Sequence, residues 1–561
     1  MQIGLSNVVS LQLFKVFPEY FISASIIYIL IVIVLITYNV FGLMIQKALS
    51  ECIALVLLMS CYLMVNDDVE IFLNSEFNNS VISDYFAFFT RFIICFFSSL
   101  YFFIIANSLK EQKLTSFEFL LIILFAVLGL VLLCSSNDLL TAYLAIELSS
   151  LAFYVLASFK KTSSYSAESG IKYFVIGAIS SAFFLLGSSF IYGLTGSIIF
   201  SDFICLIEKS YFSTPFRWFY VWDYYYYVPQ ALINPNFVKL LMICDIYEYN
   251  QAADAAEAAG IFDFSFIELG LTLVLFSLFI KLAAAPFHLW SLDVYEGSPT
   301  SSTFFFAVIT KLSIFVLLVR LCYMCFFEMV DCWQFYSLWV GVFSIFLGSF
   351  GGLKQRKLKT LLAYSSVSHM GYTLIAFSTA TYLGVQMVLF YLIIYMLSGL
   401  CIWSVFIFLR LKNKNINKYN KELSDLALLK KSNPALAFSL SLTMFSIAGI
   451  PPMVGFIAKM NVFLSVIGIS FYFSALISIL CSVVSTFYYI RVIKVLCFEN
   501  LLVGKLYYPM DNKKTILVSI FIFSLIFLFV SPTLLYVFND KIALGVLGTC
   551  KSFTTHWRWG Y

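Results

Sequence analysis

An all-α polytopic membrane protein of about fourteen transmembrane helices is the fold the sequence predicts, on three observations. Of 561 residues, 62% are hydrophobic and 11% charged, the latter about half of what a soluble globular chain carries. Runs of about twenty apolar residues recur along almost the whole length, each long enough at about 1.5 Å per residue to cross a hydrocarbon core about 30 Å thick. The runs are apolar on every face, whereas the strands of a membrane barrel would alternate apolar with polar over about ten residues.

In chain order the predicted spans are 20–43, 51–65, 85–108, 117–134, 139–158, 172–200, 264–286, 302–326, 333–350, 359–380, 384–409, 434–466, 471–497 and 515–538. No basic n-region and small-residue cleavage site precede the first, so it is expected to be retained. Lys and Arg accumulate on the side from which insertion starts. Connections after odd-numbered spans carry Lys47; Lys110 and Lys113; Lys160 and Lys161; Lys354, Arg356, Lys357 and Lys359; Arg410 through Lys431; and Lys505, Lys513 and Lys514. Connections after even-numbered spans are acidic or neutral, with Asp67, Asp68 and Glu70, then Asp138, then Glu328 and Asp331. The connection after the seventh span breaks the pattern, with Asp293, Glu296 and no basic residue. Both termini are thereby expected on the outer side.

Residues 201–263 form one long polar interruption of acidic balance with the aromatic cluster "RWFYVWDYYYYV". Amphipathic rings of this kind suit a membrane interface or a partner's surface, and the alternative is an insertion without chemistry. The thirteen Cys are scattered along the chain without His-rich clusters, which suggests neither a zinc nor an iron-sulfur site. The net charge of +4 says little by itself, and no nucleic-acid partner is expected. The richness in Phe and Tyr fits an AT-rich organellar genome or aromatic lipid-facing surfaces.

A charge at mid-membrane costs about 2.5–3.5 kcal/mol on insertion scales, so ionisable residues inside spans persist mainly where they pair or line a wet cavity. Glu147 lies in "LLTAYLAIELSSLAFYVL" with no cation nearby in sequence. In "AESGIKYFVIGA", Glu168 and Lys172 are one helical turn apart and able to pair, and Lys172 is also within possible reach of Glu147. Lys281 in "LFSLFIKLAAAPFHLW" precedes Pro286, which breaks the helix by removing a backbone hydrogen bond and leaves a carbonyl suited to water. Lys311 sits in the middle of "FFFAVITKLSIFVLLVR", and Lys459 follows a second break in "FSIAGIPPMVGFIAKMNVF". Two broken helices with a lysine near each break fit the transporter pattern of discontinuous helices around a midplane site. His288 and His369 add near-neutral titrating groups, the other reading of each being a hydrogen-bonded core histidine.

Burial disfavours the charged form of an amine and a nearby carboxylate favours it, so a lysine poised between the two gains or loses a proton when a neighbouring charge moves. Four lysines and a glutamate at such depth point to proton transfer. Moving a charge against 100 mV costs about 2.3 kcal/mol, and no nucleotide loop, flavin fingerprint or haem ligand set is recognisable to supply it.

The segments "NDLLTAYLAIELSSLAFYVL", "SGIKYFVIGA", "KLAAAPFHLWSLDVYEGSPT", "KLKTLLAYSSVSHMGYTLIAF" and "GIPPMVGFIAKMNVF" resemble, in succession, the signatures of the antiporter-like membrane subunits of respiratory complex I, in their subunit-2 branch. The resemblance runs from about residue 120 to 495. It implies two inverted five-helix repeats, with an N-terminal three-helix segment at 1–110, a first repeat at 111–200 and 264–326, the insertion at 201–263, a second repeat at 333–497 and a C-terminal helix and tail at 498–561. It also implies Glu147 and Lys281 as a coupling pair that Lys172 modulates, Lys311 as central relay and Lys459 as output-side residue. No cofactor is implied in the chain, since NADH, FMN, iron-sulfur clusters and ubiquinone belong to other subunits; bound phospholipids are. The implied partners are other membrane-arm subunits, above all the neighbouring antiporter-like subunit 4 and the small membrane subunits. The implied setting is the mitochondrial inner membrane, or a bacterial inner membrane for a chain that is not organellar. A subunit of a multisubunit cation/proton antiporter and a non-pumping membrane scaffold are the competing readings.

Overall fold

The computed structural model describes residues 17–36, 42–66, 75–76, 80–106, 108–112, 114, 116–204, 264–409, 422–427, 429–499 and 512–548. Its main helices are α1 (Phe17–Ile36), α2 (Gly42–Asn66), α3 (Tyr85–Ile105), α4 (Glu118–Ser135), α5 (Leu139–Ser158), α6 (Ser164–Thr195), α7 (Phe264–Leu282), α8 (Leu289–Gly297), α9 (Thr300–Val308), α10 (Thr310–Val319), α11 (Val330–Gly352), α12 (Leu358–Phe377), α13 (Tyr382–Phe408), α14 (Pro434–Ala448), α15 (Val454–Gly468), α16 (Tyr472–Cys497), α17 (Asn512–Val530) and α18 (Thr533–Gly548). A hairpin of β1 (Ser75–Glu76) and β2 (Val81–Ile82) precedes α3.

Every predicted span falls on one of these helices or on a consecutive group of them. Among the described residues nine helices are long and apolar enough to cross a membrane, or ten if the pair α17 and α18, bent by 81°, is one span. Of the remaining predicted spans, α1 is predominantly apolar over its twenty residues, Phe17–Ile36, and the others have identifiable reasons to differ. α7 stops at the first break, and the twelfth span is divided into α14 and α15. α12 carries Ser365, Ser366, Ser368, His369 and Thr373 and is buried by neighbouring helices along nearly its whole length, so its polarity meets protein.

Three boundaries move. The sixth helix starts at Ser164, which puts Lys172 in its third turn rather than at its start. The last span, expected as one helix over 515–538, bends at Ser531 and Pro532. The eighth is interrupted at Ile309 and ends in a π-helical segment, Arg320–Cys325, a distortion found often at functional sites. Residues 205–263 of the interruption, and both chain termini, lie outside the described residues.

Connections on the same side touch one another. Val81 bridges Ser136, and Asp138 bridges Ile199; these are connections expected on the outer side. On the opposite side Lys359 Nζ donates to Ser298 O at 2.8 Å, and Leu423 N to Arg356 O at 2.8 Å. This grouping explains the acidic connection after the seventh span. Glu296 of α8 pairs with Lys357 and Asp293 with Lys172, so basic residues of neighbouring elements compensate it.

Packing relies on small residues where helices cross, as expected when lipid supplies no hydrophobic drive for helix association. At the α6–α7 crossing a Cβ on Gly187 would stand 2.6 Å from Gly270 O, and one on Gly270 2.9 Å from Gly187 O. Neither helix tolerates a side chain there without separating.

Candidate functional site

α5 is started by Asp138, whose carboxylate accepts the Thr141 N–H at 2.5 Å, a standard N-cap role. Its residues 147, 150 and 154 follow at helical spacing and share a face. Ser150 Oγ donates to Glu147 Oε2 at 3.3 Å and faces the Tyr154 phenol. Glu147 Oε1 is buried without a hydrogen-bond partner. From α7, Lys281 Nζ donates to Tyr154 Oη at 3.4 Å and lies 5.8 Å from its ring centroid. Glu147 and Lys281 therefore influence one another across two hydroxyls rather than by direct contact.

The two helix breaks dispose of their free carbonyls differently. α7 ends in a turn through Ala283, whose φ of 58° is left-handed, and Trp290 Nε1 donates to Ile280 O at 3.0 Å. α14 ends at Gly449 with φ 79°, and Lys459 Nζ donates to Ala448 O at 2.8 Å while lying 5.5 Å from the Tyr372 ring centroid. An indole meets a carbonyl of the last turn at the first break, and the lysine itself does so at the second. Gly449 is required twice over, because a Cβ there would stand 2.9 Å from Lys459 Cδ. Gly449→Ala is expected to cost about 1–2 kcal/mol in backbone strain and to displace the amine from Ala448 O. Thermal stability and proton pumping of the assembled variant should fall together.

Lys311, on the wholly buried α10, is 5% exposed. Its Nζ donates to Tyr395 Oη at 3.3 Å and lies 5.1 Å from that ring's centroid. A small cavity is lined by both Lys281 and Lys311, with Ser150, Tyr173, Tyr295 and Thr310. A second, smaller cavity is lined by Tyr395, Tyr391, His369, Ser446 and Lys459. Tyr395 thus joins the two: its hydroxyl meets Lys311 on one side and its ring borders the Lys459 cavity on the other. His369 belongs to this second space, with Nδ1 2.6 Å from Tyr391 Oη and Nε2 3.3 Å from Tyr489 Oη. Glu147, Lys281, Lys311, His369 and Lys459 consequently fall along one series.

Lys172 and His288 do not join that series. Lys172 is 44% exposed and pairs with Glu168 at 2.7 Å, as the spacing predicts, and with Asp293 at 2.8 Å; Glu147 is not its partner. Asp293, more than a hundred residues away in sequence, is nearer because α8 packs on α6. His288 is buried at the start of α8 against Tyr364, with Nδ1 unpartnered, and lines neither cavity.

Further buried charges escape a reading centred on lysines. Arg91 of α3 pairs with Glu19 of α1, both buried. Arg320, in the π-helical segment, donates from Nη2 to Asp84 Oδ1 at 2.7 Å, with side-chain exposures of 1% and 5%. Asp84 also caps α3, accepting the Ala87 N–H at 2.7 Å, and Arg320 stacks 5.6 Å from the Phe86 ring centroid. Arg91, a lone cation in the apolar run of 85–108, was the available sequence signal. Ser150, Tyr154 and Tyr395 had only helical spacing to announce them. Among the described residues no group of three or more His, Cys, Asp or Glu is placed to hold a metal ion.

The chain matches the NADH:quinone oxidoreductase/Mrp antiporter transmembrane family over residues 136–220 and 237–485, a range that contains Glu147, Lys281, Lys311, His369 and Lys459. It is 34% identical over 471 residues to NADH-ubiquinone oxidoreductase chain 2 of Marchantia polymorpha, covering 84% of this chain and 85% of the relative. With NADH-quinone oxidoreductase subunit N of Pelagibacter ubique it shares 32% over 485 residues, 86% and 89% of the two chains. Among solved structures, a chain of respiratory complex I from Thermus thermophilus superposes with TM-score 0.66 at 22% identity, covering 92% of this chain and 98% of that one. A chain of the Mrp complex from Dietzia sp. superposes with TM-score 0.72 at 15% identity, covering 97% and 99%. The fold is common to both kinds of assembly, and the relatives above 30% identity are chain 2 and subunit N proteins. The chain therefore belongs to the antiporter-like membrane-subunit family of NADH:quinone oxidoreductases, in the branch of NADH-ubiquinone oxidoreductase chain 2 and subunit N.

Proposed function

We propose that this chain is a proton-translocating subunit in the membrane arm of an NADH:quinone oxidoreductase, and that its buried Glu/Lys series is the relay. The observation that carries the reading is the pair of cavities linked by the Lys311–Tyr395 hydrogen bond, one lined by Lys281 and Lys311 and the other by Tyr395, Lys459 and His369. A charge change at Glu147 alters the balance between desolvation and attraction at Lys281. Lys281 then passes its proton through the shared cavity to Lys311, and Tyr395 links Lys311 to the Lys459 space. Driving energy comes from electron transfer on other subunits, which hold the NADH, FMN, iron-sulfur and ubiquinone sites. The neighbouring antiporter-like subunit 4, small membrane subunits and phospholipids surround the chain in a mitochondrial or bacterial inner membrane, with both termini on the outer side. Lys172, held between Glu168 and Asp293 at the surface, adjusts the field around the relay, and His288 is a buried structural histidine.

The reading separates from a static scaffold through Lys281→Met in the assembled complex reconstituted into vesicles. Relay function predicts normal assembly with proton pumping and coupled NADH oxidation reduced on the order of 100-fold, the scale on which a positioned proton-transfer group contributes. A complex that assembles poorly yet pumps normally per molecule would support the scaffold.

A further inference from the structure

His369 anchors a second string of hydroxyls that the relay above leaves unused. Its Nε2 is 3.3 Å from Tyr489 Oη, and Tyr488 Oη donates to Tyr489 Oη at 3.4 Å. Ser368 and Ser485 flank the Tyr488 hydroxyl, and Ser365 that of Tyr489. All are buried. These hydroxyls come from α12 and α16, and a buried hydroxyl is retained only where it finds partners.

The string leads to one side of the bundle. Tyr488 lies against Gly352, the last residue of α11, where a Cβ would stand 2.9 Å from Tyr488 Cε1. One turn further along α16, Arg491 Nη1 donates to Leu353 O at 3.2 Å, where the connection with Lys354, Arg356, Lys357 and Lys359 begins. At its inner end, His369 Nδ1 meets Tyr391 Oη at 2.6 Å, and both border the Lys459 cavity.

We infer that Tyr488 and Tyr489 form a second uptake branch, separate from the Glu147 and Lys281 arm, which delivers protons from the side of the basic connections through His369 to the Lys459 cavity. The inference rests on the proton-relay reading of the site. A hydroxyl both accepts and donates, so such a string moves a proton without accumulating charge. A proton arriving on Tyr488 Oη forms one O–H bond as the original hydroxyl proton leaves for Tyr489 Oη. Tyr489 in turn releases its proton to His369 Nε2. The imidazole gives up its Nδ1 proton through Tyr391 towards a neutral Lys459 amine, and rotation of the hydroxyls together with a flip of the imidazole ring, which restores its tautomer, resets the string.

The test is Tyr489→Phe, which keeps the ring and removes only the hydroxyl, in the assembled complex in vesicles beside Tyr489→Leu and Lys311→Met. The expected result is that Tyr489→Phe lowers protons pumped per NADH to a level clearly below the parent, with a larger solvent deuterium isotope effect on pumping than the parent shows. Tyr489→Phe pumping like the parent while Lys311→Met is impaired would overturn the branch and leave the relay standing. A Tyr489→Leu defect with a parent-like Tyr489→Phe reduces the residue to packing and also overturns it. Both Tyr489→Phe and Lys311→Met pumping normally would overturn branch and relay together. Should Tyr489→Phe fail to assemble, Tyr488→Phe carries the same expectations.

Discussion

Lys311→Met is expected to leave the chain assembled and to stop proton movement along the Glu147 and Lys281 arm. The amine is 5% exposed, and its one hydrogen bond is to Tyr395 Oη at 3.3 Å, too little to compensate a charge taken out of water. Met reproduces the length and flexibility of the stem and brings no desolvation penalty, so stability should hold or rise. Transfer between the two cavities loses the group that connects them, a loss on the order of 100-fold or more in coupled rate. Measuring subunit content together with vesicle acidification separates the two effects. A Lys311→Arg variant should not rescue, since guanidinium retains its proton at any working pH.

Arg320→Leu has the opposite profile, with little left to assay. It strips the cation from Asp84 while that carboxylate remains buried, and breaking a buried pair in this way costs about 3–5 kcal/mol. Asp84 Oδ2 already lacks a partner, which leaves no reserve. Because Asp84 starts α3 and Arg320 ends the helix carrying Lys311, the pair fastens the first three helices to the part of the chain that holds the relay. Asp84→Asn should partly rescue Arg320→Leu, because Asn caps a helix about as well as Asp without the stranded charge. Quantifying the chain in membranes for both single variants and the double variant checks this; a deeper loss in the double variant would contradict it.

The elements and the breaks were legible in the sequence because bilayer thickness and proline chemistry act locally. Apolar length marks a span, and "APFHLW" and "GIPPMVG" mark places where a helix cannot continue. The lysines were legible for the same reason, each being an exception within a run. What joins them was not. Tyr154 and Tyr395 are ordinary aromatics in a chain with 35 Tyr and 63 Phe, and only packing between distant helices brings one to Lys281 and the other to Lys311. Lys172 shows the same limit from the other direction: its local partner Glu168 follows from spacing, whereas Asp293 depends on how α8 folds back onto α6. The pairs of Arg91 and Arg320 add further buried ionisable groups to the lysines and Glu147. Their partners, Glu19 and Asp84, lie at or near helix starts, where composition alone suggests exposure.

The most direct measurement is a structure of the parent assembly at a resolution that orders internal water. Polar cavities hold water where two to four partners are offered, and purely apolar ones stay dry. Ordered waters should bridge Lys281 to Lys311 through the larger cavity, and Tyr395 to Lys459 through the smaller, forming one hydrogen-bonded series with Glu147 at its start. A dry gap between Lys281 and Lys311, in a map that resolves water elsewhere within the same chain, would break the relay.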